Sequence, residues 1–239
     1  DPQIVLSRTH LGFITELFKT EVPEINERVV TIKSISREPG IRTKIAVESS
    51  NPDVDPVGAC VGSKGSRVQN IVQELKGEKI DIIPWSEDPA KFVCSSLAPA
   101  EIVEVILYND RKAMEVIVPD NQTSLAIGKK GQNVRLAVKL TGWKIDIKSK
   151  SDADGESENA LEQLTQIQGI GETTAQTLFN EGYYTPVDII KTKAEELLKL
   201  PGFGEKKVQQ VKQAAEDFLK EHGTTPETEK TPPQTEDEE

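Results

Sequence analysis

The sequence has no apolar run approaching the ~18 residues of a membrane-spanning helix, so no transmembrane segment is expected. Its opening, Asp1-Pro2-Gln3-Ile4-Val5-Leu6, has neither a basic start nor a long apolar stretch, which argues against a secretory leader. There is no initiator Met, as expected of a fragment whose upstream part is missing. Cysteine occurs only at Cys60 and Cys94, a spacing that suggests neither a disulfide framework nor a zinc site. Both lie in apolar helical contexts and read as small buried thiols, which fits a reducing cytoplasm. The only histidines are His10, near the start, and His222, beside a polar tail. No His-based metal site or catalytic triad can be assembled from them. The expectation is a protein with no catalytic residues, no metal and no cofactor.

What is present suits two or three small domains. Hydrophobic residues make up 36% of the 239 positions and charged residues 29%. The net charge of −11 is unevenly spread. Residues 1–148 hold 20 acidic and 20 basic side chains, whereas residues 149–239 hold 20 acidic and 9 basic ones. The acidity belongs to the C-terminal part, so the two parts should have different partners.

Two segments lack apolar periodicity. Residues 149–159 (SKSDADGESEN) read as an acidic flexible linker, and residues 223–239 (GTTPETEKTPPQTEDEE) as a disordered acidic tail. Between and before them the chain repeats itself. Gly62-Ser63-Lys64-Gly65 recurs as Gly128-Lys129-Lys130-Gly131, and Lys79-Ile80-Asp81-Ile82 as Lys144-Ile145-Asp146-Ile147. Each copy predicts the order α-β-β-α-α-β. In the first, a helix over 7–20 with Ser7 as cap precedes strands at 29–35 and 44–47. Asp55-Pro56 opens a short helix, the GxxG tetrapeptide interrupts it, and Gly77 stops the helix that follows.

A GxxG between two helices lets the backbone turn sharply and lets another backbone come close. The helix that follows aims its N-terminal N–H groups and positive dipole end at the same space, where phosphate is the natural occupant. Lys64, Arg67, Lys129, Lys130 and Arg135 add positive charge, and residues 121–145 hold five basic side chains and no acidic one. A lone GxxG is an ordinary glycine turn. Two copies at the same place in the same six-element pattern, each with Lys inside, argue otherwise. The pattern is that of the KH family, whose GxxG loop clamps single-stranded RNA. The candidate RNA-binding residues are Val61, Gly62, Ser63, Lys64, Gly65, Ser66 and Arg67 in the first copy. In the second they are Ile127, Gly128, Lys129, Lys130, Gly131, Gln132, Asn133 and Arg135. Val61 and Ile127 would border the groove for unstacked bases. Only Trp85-Ser86-Glu87 separates the modules, so they should be held against each other, with Trp85 packed at the junction.

Downstream, Ile167-Gln168-Gly169-Ile170-Gly171 recurs as Leu200-Pro201-Gly202-Phe203-Gly204, again between helices. These hairpins resemble the helix-hairpin-helix family, whose glycines expose N–H groups to DNA phosphate. Here Glu172 and Glu205 directly follow the second glycine of each hairpin, and residues 160–222 hold 10 acids against 7 bases. That balance favours a protein contact at Gly169, Gly171, Gly202 and Gly204 over DNA. The expected architecture is α+β: two tandem prokaryotic-type KH domains (1–84 and 85–148) followed by a small all-α helix-hairpin-helix domain (160–222).

The long motifs PDVDPVGACVGSKGSRVQNIVQELKGEKIDIIPWSEDP and PDNQTSLAIGKKGQNVRLAVKLTGWKIDI make the chain similar to the NusA family of bacterial transcription termination/antitermination factors. In that family a polymerase-binding domain and an OB-fold barrel come first, and QIVLSRTH looks like the exit of that barrel. The resemblance implies a cytoplasmic elongation factor that binds the nascent transcript, RNA polymerase and other transcription factors, and so modulates pausing, termination and antitermination. A monomer with no membrane association is expected. The rival readings are a DNA-repair or nuclease accessory protein and a ribosome-associated KH protein. The first would show basic hairpins and the second a long basic extension.

Overall fold

A computed structural model describes residues 6–222, so the acidic tail expected at 223–239 lies outside the described residues. The chain divides into two compact units, 1–152 and 153–239.

The first unit contains the repeat twice. Copy one runs α1 (Leu11–Glu21), α2 (Pro23–Asn26), β1 (Val30–Glu38), β2 (Arg42–Ser49), α3 (Pro56–Val61), α4 (Ser66–Glu74) and β3 (Lys79–Pro84). Copy two runs α5 (Pro89–Ser96), β4 (Glu104–Tyr108), β5 (Ala113–Val118), α6 (Thr123–Ile127), α7 (Gln132–Thr141) and β6 (Lys144–Ser149). Each sheet pairs its first two strands antiparallel and its last two parallel, in the order β1-β2-β3 and β4-β5-β6. The α-β-β-α-α-β expectation holds, with the small extra helix α2 in copy one. One cap differs: Ser7 precedes the helix, and the His10 side chain accepts from Gly12 N–H at 3.0 Å.

Apolar spacing explains the two cores. Ile14 and Phe18 of α1, Ile45 and Val47 of β2, Cys60 of α3 and Ile71 of α4 are buried together. Val93, Leu97, Met114, Val116, Val118, Ala126 and Ala137 form the matching cluster in copy two. A third cluster joins the modules. Ala46 and Ile83 on the outer face of the first sheet meet Phe92 of α5 and Leu140 of α7, with Trp85 half-buried beside them. Trp85 is thus packed at the junction, with the Lys33 ammonium 4.2 Å from its ring centre. Burying Phe92 and Leu140 is worth roughly 1.5–3 kcal/mol each, enough to hold the modules together without help from surface charge.

The first module also buries an ion pair that periodicity does not reveal. Glu78 accepts from Arg37 at 2.8 and 2.9 Å, from Gly40 N–H at 2.7 Å and from Thr43 at 2.5 Å. Burial alone would push the Glu78 carboxyl up, but these donors hold it below the ordinary value. Asp81 is likewise held low, against burial, by Arg42 and Lys44. Burial draws the fully buried Lys44 below the ordinary lysine value, with Asp81 opposing.

The segment 149–159, expected as a flexible linker, is helical: α8 spans Lys150–Gln166. Ser149 and Asp152 form a reciprocal cap, with Asp152 N–H to Ser149 Oγ at 3.1 Å and Ser149 Oγ to the Asp152 carboxylate at 2.6 Å. Asp120 accepts from both the N–H and the hydroxyl of Ser151. The cap supplies the start signal, and acids in the first turns suit the positive end of the helix dipole. Neither effect depends on apolar periodicity. Among the described residues no helix is long and apolar enough to cross a membrane.

The second unit contains α8 from Ala153 onward, then α9 (Glu172–Asn180), α10 (Pro186–Lys191), α11 (Ala194–Leu197) and α12 (Glu205–His222). The two hairpin copies share one core. Leu164 and Leu197, Ile167 and Leu200, Ile170 and Phe203, Ala175 and Val208, and Leu178 and Val211 are all buried in a single cluster.

Candidate nucleic-acid interface

The two GxxG loops have the same backbone. Gly62 and Gly128 have φ of 74° and 76° with ψ of 176° and 169°, a combination essentially restricted to glycine. Lys64 (φ 52°) and Lys130 (φ 54°) are left-handed, as are Gly65 (φ 79°) and Gly131 (φ 71°). Steric reasons for the first glycine differ between copies. A Cβ on Gly62 would fall 2.7 Å from Cγ of Arg67, near the root of a side chain that can move only by giving up its bonds to Glu24 and Ala59. On Gly128 it would fall 2.8 Å from the backbone N of Asn133, which cannot.

Each loop lifts its lysines into solvent. Lys64, Lys129 and Lys130 are exposed, and Val61 and Ile127 are half-buried at the preceding helix ends. The helix N–H groups are less available than the sequence suggests. Gly65 and Gly131 N–H close turns onto Gly62 and Gly128 carbonyls at 3.1 and 3.0 Å, and Ser66 and Gln132 N–H bond Ser63 and Lys129 carbonyls. The dipole end still faces the loop, but the second glycine's N–H and the one after it are already used.

Four of the expected contact residues are engaged within the protein. Arg67 donates to Glu24 at 2.9 Å and to the Ala59 carbonyl, bracing the first loop from inside. Asn133 is buried (4% exposed), and its amide donates to the carbonyls of Leu97 and Ala126 at 3.0 and 3.1 Å. Its side chain packs α7 against α5 and α6 and is not presented at the surface. Gln132 and Arg135 both donate to Glu38, the last residue of β1 in the other module. Sequence spacing could not show this, because Glu38 is 97 positions from Arg135. Leu125, on α6 just before the second loop, is an exposed large apolar side chain (44% exposed) that periodicity does not single out.

Comparison with known proteins fits this geometry. The NusA-like first KH domain matches residues 8–85, the NusA-like second KH domain residues 89–155, and the SAM-like helix-hairpin-helix tandem residues 161–217. The chain belongs to the NusA family. It is 62% identical over 152 residues to the transcription termination/antitermination protein NusA of Halalkalibacterium halodurans, covering 64% of this chain and 40% of that protein. The NusA of Bacillus subtilis strain 168 gives the same identity over the same length, with 41% of the relative covered. The NusA of Rickettsia prowazekii strain Madrid E is 41% identical over 225 residues, 91% of this chain and 45% of the relative. The chain therefore spans less than half the length of these NusA relatives.

The helix-hairpin-helix glycines divide into two kinds. Gly169 (φ 98°) and Gly202 (φ 76°) need the left-handed backbone. Gly171 is extended at φ −80°, and a Cβ on Gly171 or Gly204 would meet open space. The fold requires glycine only at the first position of each pair. Glu172 and Glu205 are exposed in the first turns of α9 and α12, directly beside the second glycines.

Proposed function

We propose that the tandem KH unit binds single-stranded RNA, the nascent transcript, along a track that includes both GxxG loops. The whole protein then acts with RNA polymerase as a cytoplasmic elongation factor that modulates pausing, termination and antitermination. The observation that carries the reading is the pair of loops with one backbone conformation, each raising exposed lysine beside a half-buried apolar border. The names of the NusA relatives support the transcription role. The acidic second unit serves as a protein contact, because the exposed Glu172 and Glu205 repel phosphate at the hairpins. The chain works as a monomer and carries out no catalysis.

The decisive experiment replaces Ser63-Lys64 and Lys129-Lys130 with Asp-Asp. Lys64 and Lys130 are left-handed, a conformation in which Asp is among the better tolerated residues, so the loops keep their shape. Filter binding to single-stranded RNA should fall strongly. Wild-type affinity with both loops changed would remove the KH loops as the RNA site.

A further inference from the structure

The second loop is fastened to the first module by a carboxylate. Glu38 accepts from Nε and Nη2 of Arg135 at 2.8 and 2.6 Å, and from the Gln132 amide at 2.6 Å. Arg135 in turn donates from Nη1 to the carbonyl of Lys130 at 3.1 Å, the left-handed lysine at the loop tip. We propose that Glu38 is a positioning residue for RNA binding: through Arg135 and Gln132 it holds the Gly128–Gly131 loop in its binding geometry across the module junction. The inference rests on the RNA-binding reading above.

Three observations favour positioning over simple packing. The junction already has its apolar anchor in Phe92, Leu140, Ala46 and Ile83, so an ion pair with Arg135 nearly half exposed adds little stability. The first loop has an internal brace in Arg67, whereas the matching position of copy two is Asn133, whose amide is spent inside the core. The second loop therefore takes its external brace from Arg135, and the orientation of that guanidinium is set by Glu38. The Arg135 hydrogen bond also supports Lys130 in a backbone conformation that costs a non-glycine residue energy.

The sign of the effect makes the idea testable. A carboxylate near a phosphate site repels RNA, so charge alone predicts tighter binding when it is removed. Positioning predicts the reverse. The experiment titrates the full 239-residue chain with a labelled, mixed-sequence single-stranded RNA at several salt concentrations, comparing wild type, Glu38→Gln and Glu38→Asp. Glu38→Gln should bind about tenfold more weakly, the loss expected for one charge-assisted hydrogen bond. Its salt slope should be shallower by about 0.7, one phosphate contact. Glu38→Asp keeps the charge but shortens the reach, and should also weaken binding, which separates geometry from charge. Adding Arg135→Gln to Glu38→Gln should cost less than Arg135→Gln alone, because both act through one contact. Wild-type or tighter binding by both Glu38 variants, or additive losses, overturns the inference while leaving the RNA reading intact. A wild-type chain that does not bind RNA overturns both.

Discussion

Glu78 is 1% exposed and its partner Arg37 is 3% exposed, so the cost of separating them is set by burial. Replacing one member of such a pair leaves the other charged and dry, which typically costs about 3–5 kcal/mol. Glu78→Ala should therefore lower the urea stability of the KH unit by that order, and Glu16→Ala, in an exposed pair with Lys19, by under ~1 kcal/mol. Because the Glu78 and Asp81 carboxyls are held below their ordinary values, their stabilisation is fully present above the unfolded carboxyl range. It is lost as the pH falls through the depressed values. The urea midpoint should stay level from neutral pH to roughly 4.5 and decline below that. A decline beginning near pH 6 would contradict the assignment. Thiol chemistry gives an independent check. Burial, with Glu24 nearby, pushes the Cys60 thiol up to about 12, and burial also raises Cys94. Mass spectrometry after alkylation of the native protein at pH 8 should find Cys60 unmodified, and denaturation should expose it.

Among the elements, the glycine loops and the capped helix α8 separate local from tertiary causes. Gly62→Ala and Gly128→Ala both force an unfavourable φ/ψ, at roughly 1–3 kcal/mol. Gly128→Ala should be the worse of the two, because its Cβ meets the Asn133 backbone, whereas at Gly62 it meets the Arg67 side chain, which can shift by giving up its bonds to Glu24 and Ala59. Gly171→Ala and Gly204→Ala, with open space and no left-handed requirement, should change thermal stability by less than ~0.5 kcal/mol. Equal losses at all four sites in a melting series would refute this division. For α8, Ser149→Ala removes the cap hydroxyl and should cost about 1 kcal/mol, read as faster amide exchange over residues 152–157. Unchanged exchange there would mean that the cap does not start the helix.

For the whole molecule, the salt dependence of RNA binding counts the cations that remain available. Five basic side chains near the loops would suggest a slope of roughly −3.5 for a single strand. Arg67 and Arg135 are already paired with Glu24 and Glu38, which leaves Lys64, Lys129 and Lys130 and a slope of about −2. A slope steeper than about −3 would mean that RNA displaces both carboxylates. The uneven charge yields a second expectation. Residues 1–148 are neutral overall and 149–239 carry all of the net −11. Residues 1–152 alone should bind RNA as well as the full chain or slightly better, with the gain largest at low salt. Clearly weaker binding by the shorter chain would make the hairpins a nucleic-acid contact and end the protein-contact reading.

Much of this protein is decided by short-range pattern. The alternation of Ile80 with Ile82 in β3 and of Ile145 with Ile147 in β6, the spacing of Leu164, Ile167 and Ile170, and the glycines at 62, 65, 128 and 131 act within a few residues of themselves. Such signals survive in a linear sequence, which is why the α+β repeat, the paired loops and the helical hairpins were all readable from it. The partners of the charged side chains were not. Glu78 finds Arg37 across 41 positions, Glu38 finds Arg135 across 97, and the Asp120 carboxylate holds Ser151 across 31. A carboxylate's partner depends on which backbone the packed sheets and helices bring within about 3 Å, and composition does not encode that distance. Tertiary structure therefore decided which cations near the loops are paired with carboxylates and which stay exposed, and it set an acidic residue of one module against the helix that follows the other module's loop.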